Sequence, residues 1–135
     1  MDAGMYLWKL SGGNWGIATK TFDQASAPEP PDTVLEMVSN ATVGTANKIV
    51  PSWFSVTYGG DLTNVGPLIL RATDDTNVMI NIPSVSNYTI PFFVKFGVKF
   101  INTFSAGLGV ELYSAGIISK AYTVTATMGY YLIPV

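Results

Sequence analysis

The chain contains no cysteine and no histidine. Without cysteine there are no disulfides, thiol nucleophiles or thiolate metal sites, and the redox compartment cannot be read from the sequence. Without histidine there are no imidazole metal ligands, no His-based triads and no imidazole proton shuttles. Charge is scarce as well: Asp, Glu, Lys and Arg make up 12% of 135 residues, with one arginine, Arg71, and a formal net charge of −2. An average soluble chain carries about 25%. The lysines are scattered, so no basic stripe is offered to a phosphate backbone, and nucleic acid is not an expected partner.

Long apolar runs are missing too. The most apolar region, residues 90–110, is broken by Lys95, Lys99 and several glycines, so no membrane-spanning helix is expected. A spanning β-barrel would alternate as this chain does, but would normally bring a secretion signal and long polar loops. The start, Met1-Asp2-Ala3-Gly4, lacks a basic stretch followed by an apolar one, so no signal peptide is expected. There is no internal repeat, no low-complexity tract and no cofactor motif. At this length one domain, residues 1–135, is expected, burying roughly two thirds of the surface of its unfolded chain.

What is present is alternation. From residue 117 to the C-terminus, Tyr122, Val124, Ala126, Met128, Tyr130 and Leu132 interleave with Thr123, Thr125, Thr127 and Gly129. Period-two patterning with β-branched and aromatic residues predicts a long strand with a core face and a threonine face. Because this strand closes the chain, it is expected inside a sheet rather than on a frayed tail.

The same pattern recurs from the N-terminus. Tyr6, Trp8 and Leu10 alternate up to Gly12-Gly13, and Trp15, Ile17, Thr19 and Thr21 continue beyond, which predicts a hairpin across the glycines. Residues 24–32 (QASAPEPPD) are a proline-rich crossing loop. Thr33-Val34-Leu35-Glu36 matches a capping box, so residues 33–40 present two readings, a short helix or a strand.

Phe54, Val56 and Tyr58 then alternate with Ser55 and Thr57, and Leu68, Leu70 and Ala72 form a hairpin with Val78, Ile80 and Ile82. Val94, Phe96, Val98 and Phe100 alternate with Lys95 and Lys99, and a strand at 110–113 precedes the last one. The expected class is all-β: a two-sheet β-sandwich, jelly-roll-like, with eight or nine strands and at most one short helix. An up-and-down β-barrel is the alternative, disfavoured because a meander would have mostly short turns.

Candidate chemistry is thin. Asp61, Asp74 and Asp75 fall in turns, where aspartate bonds nearby backbone amides, and with Asn77 they match no calcium-loop spacing. Glu111 sits within a strand, expected to face solvent or pair with Lys95, Lys99 or Lys120. No catalytic, cofactor or metal residue is assigned, and an enzyme is not expected. Trp15 and Trp53, each near a turn or proline, are the aromatics expected to be exposed, as part of a stacking platform for sugars. The sequons at Asn40 and Asn87 matter only in a secreted eukaryotic setting.

So little charge leaves too little polar material to cover a lone globule, and the strands at 92–101 and 122–133 would pair with other chains if their edges were open. The expected role is therefore a structural, self-assembling subunit of a larger particle: a virion capsid, a capsid decoration, a tail component or an extracellular filament. Its expected partners are copies of itself and other structural subunits, located in a virion or extracellular assembly. The alternative is a carbohydrate- or receptor-binding module of lectin-like or fibre-tip type, contacting its ligand through Trp15, Trp53, Asp61, Asp74 and Asp75.

Overall fold

In the computed structural model, which describes residues 3–23, 34–60, 67–74, 78–82, 92–97, 104–114 and 122–135, the C-terminal alternation forms a central strand. That strand, β8 (Tyr122–Pro134), is flanked by β1 (Trp15–Asp23) and β3 (Asn47–Gly60), and β6 (Phe92–Lys95) lies beyond β3. The second sheet runs β2 (Val34–Val38), β7 (Val110–Ser114), β4 (Leu68–Ala72), β5 (Val78–Ile82). Every pairing is antiparallel, and among them are the nested set β1 with β8, β2 with β7, β3 with β6 and β4 with β5. The chain is thus all-β, two four-stranded sheets face to face. No ladder among the described residues joins one sheet to the other, so the closed barrel is set aside.

Burial follows the predicted faces. Val124, Ala126 and Met128 of β8 are fully buried and pack with Phe54 and Val56 of β3 against Leu68, Leu70 and Leu112 of the opposing sheet. Each such side chain contributes about 1.5–3 kcal/mol on leaving water. The hairpin of residues 68–82 forms as expected, in the register Leu68↔Ile82 and Leu70↔Ile80.

Three expectations change. The first is the N-terminal hairpin. Residues Ala3–Ser11 are a helix, α1, and the Gly12-Gly13 pair closes it. Gly13 N–H donates to the Trp8 carbonyl at 2.9 Å and Gly12 N–H to that of Lys9 at 3.2 Å, with φ of 80° and 64°. This is the Schellman arrangement, which needs the same left-handed glycines as a hairpin turn. A five-residue alternation could not separate the two. What decides it is Leu7, fully buried against Val50 and Ile133 on the outer side of the first sheet.

The second is the segment at 33–40, where the strand reading holds. Val34–Val38 is β2, and a single turn of helix, α2 (Asn40–Val43), follows it, N-capped by Ser39. The register of β2 on β7 shifts between Glu36 and Val38, so Met37 and Val38 are both buried. That bulge breaks the period of two and mimics helical spacing. The third is the strand through Phe100: β6 ends at Lys95, Gly97 takes a φ of 62°, and residues 98–103 lie outside those described. The proline-rich loop, Asp61, Asp75, Asn77, Asn87, Lys99 and Lys120 also lie outside them. No helix among the described residues is long and apolar enough to cross a membrane.

Candidate functional site

The outer face of the first sheet carries the most distinctive chemistry. Its key residue is Trp53, placed by a defect in β3: pairing with β8 steps from Pro51↔Tyr130 to Trp53↔Gly129, leaving Ser52 as the extra residue of a bulge. Pro51 has no N–H to give a ladder, and a bulge is where an interior strand tolerates it. The Ser52 carbonyl instead accepts from Phe96 N–H at 2.8 Å, and Trp53 is turned outward.

Gly129 provides the space that Trp53 occupies. A side chain at 129 would run into the indole, contacting its Nε1. Trp53 lies across β8 and stacks on Phe93 of β6, with ring centroids 6.0 Å apart and planes 28° from parallel. From the other side come Trp15, opposite Tyr131 in the β1–β8 register, and Trp8 from α1. Trp8, Trp15, Trp53 and Tyr131, with Ser52 and a floor at Gly129, line a groove of about 230 Å³. All three tryptophans of the chain meet there. The Tyr131 hydroxyl donates to the Gly4 carbonyl at 3.5 Å, tying the groove wall to α1.

Beyond the groove the same face becomes hydroxylic. Thr19, Thr127 and Ser55 lie side by side across β1, β8 and β3, and Thr21, Thr125 and Thr57 form the next row. Thr19 and Thr127 hydroxyls are 3.3 Å apart, and Thr57 donates to the Thr125 carbonyl at 3.4 Å. No charged residue lines the groove.

The opposite face of the sandwich is built differently. Glu111 of β7 pairs with Arg71 of β4, its register partner, both Nε and Nη2 lying 2.9 Å from Oε2. The lysine partners expected for Glu111 are therefore corrected to Arg71, whose guanidinium also lies 4.2 Å from the centre of the Tyr113 ring. The alternation placed Glu111 on a strand but could not say which strand would be its neighbour. This ion pair anchors a sheet face and leaves Glu111 only 9% exposed.

Of the residues singled out in the sequence, Trp15 and Trp53 are brought together, Trp15 about half exposed and Trp53 half-buried. Asp74 is exposed in the turn after β4 and does not line the groove, and Asp61 and Asp75 lie outside the described residues. Trp8, Ser52, Gly129 and Tyr131 were not anticipated. Tyr131 was legible from the parity of β8, whereas Trp8 depends on a helix that the alternation concealed. A cleft of about 360 Å³ between β1 and β2 has Lys20 and Glu36 on its lining. Its Ser39 and Thr42 hydroxyls are spent on each other and on capping α2. No protein-family model matches the chain, and no curated protein matches it significantly in sequence.

Proposed function

We infer that the chain is a structural, self-assembling subunit of a larger particle. The observation that carries this is α1, which is apolar almost all round while Leu7 is its one buried apolar side chain among those described. A helix with that composition belongs in an interior. Met5, Tyr6, Trp8 and Leu10 of α1, with Trp15 and Ile17 of the adjoining β1, are 40% to 54% exposed. At about 100 Å² apiece, they amount to on the order of 600 Å². That is at the upper end of what a monomer leaves open, and close to one partner's share of a standard interface, about 800 Å².

Two further features support the reading. The chain is 12% charged, too little to wet such a surface. We read the nested pairing of β1 with β8 through β4 with β5 as jelly-roll wrapping, an architecture used by virion subunits and lectins, which is support by fold analogy alone. The particle is then a virion or an extracellular assembly, with other copies of the chain covering α1 and β1.

Sedimentation velocity over a wide concentration range tests this. The expected result is a discrete multiple of 14.5 kDa. In addition, Tyr6→Lys with Leu10→Lys should yield smaller species without loss of sheet signal. A 14.5 kDa species at every concentration would remove the proposal.

A further inference from the structure

We propose that the outer face of the first sheet is a binding site for a neutral glycan, with one pyranose ring seated in the aromatic groove and the following sugars running along the hydroxyl rows. This goes beyond the assembly reading and does not rest on it; Trp8 and Trp15 belong to both surfaces, so a sugar and a covering copy compete for them.

The groove itself selects for a ring with one apolar face. Indoles of Trp8, Trp15 and Trp53 and the Tyr131 ring supply π surfaces, against which the axial C–H groups of a sugar pack as an apolar patch. Ser52, on the lining, supplies a polar contact that orients such a ligand. The volume, about 230 Å³, is below the roughly 300 Å³ at which drug-sized sites begin, so it suits a single ring. With no charged residue on the lining, a carboxylate or ammonium group would enter without a partner.

The hydroxyl rows decide between a sugar and an apolar peptide side chain. A greasy side chain would fill the groove, but the surface beside it is mostly hydroxylic: Thr19, Thr127 and Ser55, with the exposed Phe93 at the end of that row, then Thr21, Thr125 and Thr57, with rows about 7 Å apart along the strands. Thr19 pairs with Thr127, Thr21 with Thr125, and Thr57 donates to the Thr125 carbonyl, but each hydroxyl oxygen keeps a lone pair to accept from the hydroxyls of a glycan. A hydroxyl-rich chain uses both halves of the face. Most of the site is rigid: Trp15, Trp53 and Tyr131 stand on three adjacent strands, with Trp53 fixed by the Ser52 bulge, the Gly129 floor and Phe93, and Trp8 alone comes from α1.

Because all three tryptophans line the groove, intrinsic fluorescence reports on it directly. The experiment is a titration of the intact protein with cellotetraose, maltotetraose, mannotetraose and chitotetraose, with a tetragalacturonate as the acidic control, each to about 10 mM, where even weak complexes form. At least one neutral tetrasaccharide is expected to give a saturable blue shift, with the acid binding at least about tenfold more weakly. Trp15→Ala, at an exposed position, should weaken that complex about tenfold, and Thr127→Val should weaken the tetrasaccharide but not the matching monosaccharide. No saturable change with any neutral sugar, equal binding of the acid, or an unchanged affinity in folded Trp15→Ala would each overturn the proposal. Solution mass measured on the same samples, and on the Tyr6→Lys/Leu10→Lys variant, keeps the two readings apart: no sugar binding by the dissociated variant sinks this one alone, and sugar binding by a protein that is monomeric at every concentration sinks the other alone.

Discussion

Trp53 lies over Gly129, its register partner on β8, in space that even a methyl group at 129 would have to share with the indole nitrogen. Gly129→Ala is therefore an overpacking substitution on the sheet face, expected to cost about 1–3 kcal/mol and several degrees of melting temperature. Displacing the indole should also red-shift the tryptophan emission. Trp53→Ala removes the obstacle, so the double variant Gly129→Ala/Trp53→Ala should lose less than the sum of the two single changes. Additive losses in thermal melts would mean that the two residues do not share that space.

The Arg71–Glu111 pair makes an asymmetric prediction. Arg71 meets Glu111 through two nitrogens and also covers the Tyr113 ring, while Glu36 lies directly opposite Glu111 on the other side of β7. Arg71→Met leaves a nearly buried carboxylate facing a second acid, and should cost about 1–3 kcal/mol in urea unfolding at neutral pH. Glu111→Gln removes the repulsion along with the attraction and should cost less. Glu36→Gln added to Arg71→Met should restore part of the loss, and no restoration would show that the opposed acids do not interact.

How much of this was legible varies with the residue. The core faces of β8 and of the β4–β5 hairpin stood in the alternation of Val124, Ala126 and Met128 and of Leu68 and Leu70, because a strand buried on one face writes its burial into a period of two. Trp53 was placed outward by the same parity, since Phe54 and Val56 point in. The groove as a whole was not legible. It needs the register that sets Gly129 beneath Trp53, and it needs α1, whose apolar contact with the sheet passes through Leu7. One buried apolar residue leaves no periodic trace, and the glycine pair that caps the helix is equally good turn chemistry.

So small an apolar contact leaves α1 weakly held. Nine residues are too few to stay helical alone, so the segment is held by Leu7 against Val50 and Ile133, with the Tyr131 hydroxyl on Gly4. Leu7→Ala should cost about 2–5 kcal/mol if the helix stays docked, or less if it simply detaches. Hydrogen exchange distinguishes the two outcomes. Detachment is expected, with fast exchange confined to residues 3–13 and slow exchange retained in β8; protection unchanged across α1 would show that other contacts hold it.

Asn40 is an exposed residue with a structural task. Its Oδ1 accepts from Gly109 N–H at 2.7 Å and from the Thr73 hydroxyl, joining α2 to the entry of β7 and the turn after β4. Gly109 fits there because a side chain would strike the Val38 carbonyl, so its buried N–H has little room for water. Asn40→Ala should leave that donor unmade and cost about 1–3 kcal/mol. Asn40→Asp keeps the acceptor oxygen and should lose much less at neutral pH, while Thr73→Val, which removes one of the two donors, should fall between them. Thermal melts of the three variants check the order, and equal losses for Asp and Ala at position 40 would mean that the oxygen is not what joins these segments.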